Sequence, residues 1–366
     1  FKLDSIAACG DVNRNVVCSA HPMQSPIHQQ IFEYADKIST LLLPKTRAWY
    51  EVWLDDEKII DKKEEEDPLY GKTYLPRKFK IAIAIPPNND VDVLANDIGL
   101  IAVVENNELK GFNIAVGGGM SATHGNASTY PRVASIIGFA DSEEKTLKAV
   151  YEIVTIQRDY GNRSDRKLAR LKYTIDNNGL DWFVQELEKR CGFALRPARE
   201  QIFNQRIDYY GWQQNHENKW YYTLFVEHGR VCNEGGLDMR KALYEIAQTG
   251  KCTFRFTCNQ NLILADIAPA DKAAIDALLA KYNLIEHTEG RTGIRKNSLA
   301  CVALPTCPLA LAEAQRYLPA LVSKIEPILA QYDLTNDDVI IRMTGCPNGC
   351  ARPYLAEVAL VGVSPG

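Results

Sequence analysis

Residues 77–85, "RKFKIAIAI", alternate strictly: Phe79, Ile81, Ile83 and Ile85 point one way, and Lys78, Lys80, Ala82 and Ala84 the other. The pattern predicts a strand with two ammonium groups on one face, their Cα atoms about 6.6 Å apart. Beyond them come only alanines, which leave room for something flat. A solvated strand face is the commoner meaning of exposed lysines, and the two alanines are what weighs against it. Further along, "WYYTLFVEHGRV" (220–231) predicts a strand pair with a tight turn and "MRKALYEIAQTG" (239–250) a helix stopped by Gly250. "CTFRFTCNQNLILADI" (252–267) predicts more strand and "ADKAAIDALLAKYNL" (270–284) a second helix. "TCPLALAEAQRYL" (306–318) predicts a helix start, with Thr306 as N-cap and Pro308 in the first turn.

The pattern repeats. "CSAHPMQSP" (18–26) aligns without a gap on "CVALPTCPL" (301–309), bringing Cys18 onto Cys301, Pro22 onto Pro305 and Gln24 onto Cys307. "IPPNNDVDVLANDIGLIAV" (85–103) aligns on "GCPNGCARPYLAEVALVGV" (345–363), bringing Pro87 and Asn88 onto Pro347 and Asn348 and Asp97 onto Glu357. Two matches in the same order indicate a duplicated unit. In the second copy four cysteines stand where the first has Cys18, Gln24, Pro86 and Asp90, so one copy holds a thiolate site and the other does not. The first copy runs on into "ELKGFNIAVGGGM", and a small α+β unit precedes only the second. These asymmetries, the non-Met start and the "VSPG" ending lead us to expect a fragment cut at both ends, divided into 1–178, 179–290 and 291–366.

Composition narrows the function. With 46% hydrophobic and 24% charged residues the chain is ordinary globular material. A net charge of −4 does not favour nucleic acid as a partner. No run approaches the roughly 18 to 20 apolar residues of a membrane span, and no signal peptide pattern opens the chain. These features lead us to expect a cytoplasmic protein with no membrane partner. Ten cysteines at this length point to ligands or nucleophiles rather than a disulfide framework. "G-x-G-x-x-G" is absent, so any electrons must come from another protein.

Five residues separate Cys301 from Cys307, three separate Cys346 from Cys350, and 38 lie between the pairs. Four soft ligands on two short loops suit tetrahedral zinc or an iron–sulfur cluster. The wider first pair weighs against zinc, and the Cys-Pro steps at 307–308 and 346–347 recur in iron–sulfur motifs. A helix starting at Thr306 would set Cys307 where the dipole favours negative charge. Gly345 and Gly349 would leave N–H groups free to point at sulfur. Incidental buried thiols remain the alternative.

The stretches "TGCPNGCARPYLAEVALVG" and "ACVALPTCPLALAEAQRYLP" resemble the siroheme-dependent sulfite and nitrite reductase family, and its sulfite branch in particular. So do "DVNRNVVC", "YLPRKFKIAIAIPPNNDVD", "GFNIAVGGGMSATHGN" and "CNQNLILA", in the same order across nearly the whole chain. The resemblance implies an α+β fold of duplicated units with ferredoxin-like half-domains about a pseudo-twofold axis. It implies a 4Fe-4S cluster on Cys301, Cys307, Cys346 and Cys350, with Cys350 also the axial ligand of a siroheme. Arg14, Lys78 and Lys80 then surround sulfite, arginine polarising the S–O groups and the lysines also delivering protons. A further arginine of the family site, from the N-terminal half, has no match in this chain.

Arg77 and Asn348 are expected at the siroheme, as are basic residues of "RSDRKLARLKY", for which a charged helix face is the alternative. Asn259, Gln260 and Asn261 match a segment whose counterpart touches siroheme, and this copy is expected to be vestigial. The resemblance implies a flavoprotein reductase subunit, or else ferredoxin, as electron donor. Nitrite reduction is the rival activity; that branch carries asparagine where Lys80 stands. A non-catalytic zinc or cluster protein is the rival of another class.

Overall fold

The computed structural model describes residues 11–21, 25–45, 51–55, 57–61 and 66–364. Gln24 and the two chain ends lie outside them. The main sheet runs in the order Asn13–Val17, Phe79–Ala84, Ile98–Glu105, Glu108–Val116, Ser135–Ala140. Its first three strands are parallel and the remaining pairings antiparallel. The alternation read in the sequence is real: Phe79, Ile81 and Ile83 enter the largest core with Ile98, Leu100, Phe112 and Ile114. Helix Glu143–Tyr160 closes that core. Ser142 caps it by accepting from the Lys145 N–H, and Glu143 and Glu144 lie in its first turn, where the dipole favours acids.

The opposite face of strand Phe79–Ala84 corrects an expectation. Ala82 and Ala84 do not border open space; both are fully buried against Val91, Val93 and Ile101. Small side chains there let the turn after the strand fold back over it. Only Lys78 and Lys80, at the start of the strand, reach a cavity.

The duplication is visible bond by bond. Strands Ser298–Ala300, Ile341–Thr344 and Val358–Val361 form a parallel three-stranded sheet that repeats the first three strands of the main sheet. The Lys80 N–H donates to the Asp97 carboxylate at 2.9 Å, and its aligned counterpart, the Ile340 N–H, donates to Glu357 at 3.0 Å. The turns match too. Asp92 and its counterpart Arg352 both adopt left-handed backbone (φ 48° and 53°) and each precedes one turn of 3₁₀ helix.

Between the copies lies an antiparallel sheet ordered Thr253–Phe256, Leu262–Ile267, Trp220–Leu224, Gly211–Gln214. Helices Met239–Gln248 and Lys272–Lys281 cover it with Ala242, Ile246, Ile275 and Leu279. The two helices stand where the sequence indicates. The predicted strand pair at 220–231 does not: Trp220–Leu224 pairs backwards with Gly211–Gln214, and residues 227–229 form a 3₁₀ turn instead of a second strand. Likewise the helix expected from Thr306 begins only at Leu318. Leu311 and Ala312 donate their N–H groups to the Gly345 carbonyl, so the apolar spacing of 309–314 serves loop packing instead of a helix face. No helix among the described residues is long and apolar enough to cross a membrane.

Candidate active site

Two loops carry the four cysteines. In the first, Cys301 follows strand Ser298–Ala300, and the chain turns at Ala303, whose carbonyl accepts from the Cys307 N–H at 2.8 Å. In the second, residues 345–350 follow strand Ile341–Thr344. Gly345 locks the loops together: a Cβ there would stand 2.6 Å from the Ala303 Cβ and 2.7 Å from the Ala312 carbonyl oxygen. Its N–H donates to Cys301 Sγ at 3.2 Å, and Thr344 Oγ1 lies 3.5 Å from the same sulfur. The sequence expectation of an N–H aimed at sulfur holds at Gly345; the Gly349 N–H goes to the Cys346 carbonyl. Cys307 does not sit at a helix N-terminus.

Cys346 is buried, whereas Cys350 opens into a cavity. Burial pushes the Cys350 thiol above its ordinary value, with Cys301 and Cys346 adding to the shift and Lys78 and Lys80 opposing it. Among the described residues no three His, Cys, Asp or Glu side chains converge on a point as they do around one ion. The fit of the loops therefore rests on their chemistry: an all-sulfur donor set, backbone N–H donation to sulfur, and close packing around Gly345. Those are properties a cluster of negative net charge requires.

The cavity beside Cys350 has a volume of about 300 Å³ and is walled by Arg14, Lys78, Lys80, Arg170, Asn348 and Arg352, among others. A second chamber of about 310 Å³ shares Lys78, Ser121, Arg170 and Asn348 with it and adds Arg77, Arg166 and Lys167. The sequence-predicted Arg14, Lys78, Lys80, Asn348 and Cys350 thus meet in one cavity, although Lys80 and Cys350 come from different repeats. Arg77 stands in the second chamber. Arg166, Lys167 and Arg170 line it as well; Arg170 is buried, whereas Arg166 and Lys167 stand exposed at its wall. Arg163 instead donates to the carbonyls of Thr73, Tyr74 and Arg158.

Packing tunes the cations. Burial, then Arg170 and Lys78, lowers the Lys80 pKa to about 8, and burial with Arg170 lowers that of Lys78. Arg170 is held by both oxygens of the fully buried Asp97, at 3.1 and 2.9 Å. The same carboxylate receives the Lys80 N–H, so Asp97 ties the Lys80 backbone to the cation that depresses the Lys80 side chain. Sequence reasoning left Asp97 without a role.

For the segment between the chambers the sequence offered a glycine run, equally a strand-end turn or a close approach to the siroheme. Lys172, fully buried, donates to the carbonyls of Gly119, Ser121 and Tyr130. The Ala122 N–H then donates to the Pro347 carbonyl at 2.8 Å, linking that segment to the cysteine loop. Gly118 is required where it approaches Leu94, whose carbonyl oxygen would stand 2.3 Å from an added Cβ. The signal for this segment was the run Gly117 to Gly119. Asn259 and Asn261 bond Asp208, and Gln260 donates to the Ala300 carbonyl, so all three make structural contacts in this copy.

A cation-lined cavity opens beside two loops that carry four cysteines, on a duplicated α+β unit, and the chain belongs to the nitrite and sulphite reductase family. The family model described as the nitrite and sulphite reductase 4Fe-4S domain matches residues 33–195, and that of the nitrite/sulfite reductase ferredoxin-like half domain matches residues 213–282. Among relatives, the sulfite reductase [NADPH] hemoprotein beta-component of Leptospira biflexa serovar Patoc is 59% identical over all of this chain and 65% of its own length. The protein of that name from Oceanobacillus iheyensis is 50% identical, again over the whole chain and 63% of its own length. The chain thus spans less than two thirds of these relatives. The solved structure of Mycobacterium tuberculosis NirA superposes with a TM-score of 0.71 at 25% identity, covering 94% of this chain and 57% of that one.

Proposed function

We propose that the protein containing this chain reduces sulfite to sulfide by six electrons. Cys301, Cys307, Cys346 and Cys350 would hold a 4Fe-4S cluster, and Cys350 would also hold a siroheme whose carboxylates the cations of the two chambers would bind. When bound, the two cofactors store and pass the electrons. The chain's own side chains do the rest. Arg14, Lys78 and Lys80 bind the sulfite dianion and draw charge toward its oxygens. The lysines hold protons where oxygen must leave as water, a role arginine cannot fill. Arg77, Arg166 and Lys167 offset the siroheme carboxylates, and Asn348 borders both chambers. The observation that carries this reading is that Cys350 and Lys78, Lys80 and Arg14 wall the same cavity.

The donor that fits best is a flavoprotein reductase subunit in the cytoplasm, because the similar proteins named above are NADPH-linked; ferredoxin is the alternative. We further infer functional divisions at 1–178, 179–290 and 291–366. Nitrite is the second reading, and Lys80 favours sulfite over it. The deciding experiment purifies the full-length protein anaerobically and records its visible spectrum, iron and labile sulfide, and kcat/KM for both anions. Tetrapyrrole bands, four irons beyond the heme iron and a preference for sulfite are expected. Zinc without tetrapyrrole, or a higher kcat/KM for nitrite, would overturn the proposal.

A further inference from the structure

Asp92 and Arg352 occupy aligned positions in the two repeats, and they touch. The Arg352 Nε donates to Asp92 Oδ2 across 260 residues of sequence. Equivalent residues that meet each other lie on the axis relating their units. Both also hold left-handed backbone, which is unfavourable for a non-glycine residue and here aims the two side chains at each other. Arg352 is otherwise fixed by its Nη2, which donates to the Cys258 carbonyl at 2.9 Å, and by its own carbonyl, which accepts from Arg342 Nη1 at 3.1 Å. Arg342 approaches the same Asp92 oxygen at 2.7 Å.

The two arginines differ in what they border. Arg352, two residues beyond Cys350, walls the anion cavity, whereas Arg342 lines a separate pocket with Asp208 and Tyr210. We infer that the Asp92–Arg352 ion pair is a positioning device: it sets Cys350, carried by the second repeat, in register with Lys78 and Lys80, carried by the first. This rests on the roles given to Cys350 and the lysines above. Those groups sit on separate sheets, and a misplacement of about 1 Å between reacting partners costs on the order of a hundredfold in rate. The ion pair ties the turn that follows the lysine strand to the turn that carries Cys350. A pair that only stabilised the fold would do the same work through either arginine, and this supplies the control.

The test compares Arg352→Met, Arg342→Met and Arg352→Lys in the full-length, cofactor-loaded protein. Arg352→Met should shift the visible heme band and lower kcat about tenfold or more, with KM for sulfite within about threefold. Arg342→Met, which leaves the Asp92–Arg352 pair in place but removes one support of the Arg352 backbone, should lower the melting temperature and change band and kcat clearly less than Arg352→Met does. Arg352→Lys keeps the charge without the planar fork and should move band and kcat part of the way; it carries the test if Arg352→Met does not fold. An unchanged band and kcat in the Arg352 variants, or equal changes in Arg342→Met, overturn the inference. An unmodified protein lacking tetrapyrrole or sulfite turnover instead removes the functional reading on which the inference stands, and that is seen before any variant is made.

Discussion

Lys80 concentrates the residue-scale argument. Its pKa near 8 comes first from burial and then from Arg170, so it holds a transferable proton below that pH and loses it above. Activity should therefore fall as pH rises through about 8. Lys80→Arg keeps the charge but has no proton to give: kcat should drop about a hundredfold with KM changed little, and the basic limb of the pH profile should flatten. An undiminished kcat in steady-state assays would remove Lys80 from proton delivery. The same shift has a sign for stability. The unfolded chain keeps this proton up to the ordinary lysine value, so between about 8 and 10.5 it binds more protons than the folded one and stability rises with pH. In the sequence the lysine pair was legible, because strand alternation is local. Asp97 and Arg170 were not, because their meeting depends on the packing of segments far apart in the chain.

At the scale of elements the cysteine loops depend on close backbone approach. Gly349 has φ +65°, and an added Cβ would stand 2.7 Å from the Met120 carbonyl oxygen. Gly349→Ala should destabilise the protein by about 1–3 kcal/mol and lower its iron and labile sulfide content, both measurable on the purified variant. Full iron content with an unchanged melting temperature would contradict the packing described here. Two of the errors of sequence reading at this scale share a cause. The apolar spacing of 306–318 fits a helix, and the alanines of 82 and 84 fit an open face; in both, tertiary packing against a neighbouring turn overrode the local pattern. The helices Met239–Gln248 and Lys272–Lys281 were legible because each buries one continuous face on one sheet.

For the whole molecule, the contacts of Asp208 join parts of the chain that local patterns cannot connect. Its carboxylate accepts from Thr257 at 2.6 Å and from Asn261 at 2.8 Å, and lies 3.7 Å from His21 of the first repeat. Burial pushes the Asp208 carboxyl upward, but His21, Thr257 and Asn261 outweigh it and hold the pKa below the usual range. Its contribution is thus full above the unfolded carboxylate value and is lost as pH falls through the lower folded one. Asp208→Ala should cost roughly 3 kcal/mol, read as a lower denaturation midpoint at neutral pH and a smaller loss on acidification than in the parent. A midpoint equal to the parent's would show that the network adds nothing.

The sequence by itself determined the four cysteines and their spacing, the duplicated turn, the lysine-bearing strand and the two helices of the middle unit, since each is written in residue identity or in a period of a few residues. Packing of remote segments is what brings Cys350 into one cavity with Arg14, Lys78 and Lys80, sets Arg166, Lys167 and Arg170 along a second chamber, and makes Asp92 meet Arg352. Those are contacts between repeats or between remote segments. They depend on how two sheets are set against each other, and neither propensity nor periodicity carries that information.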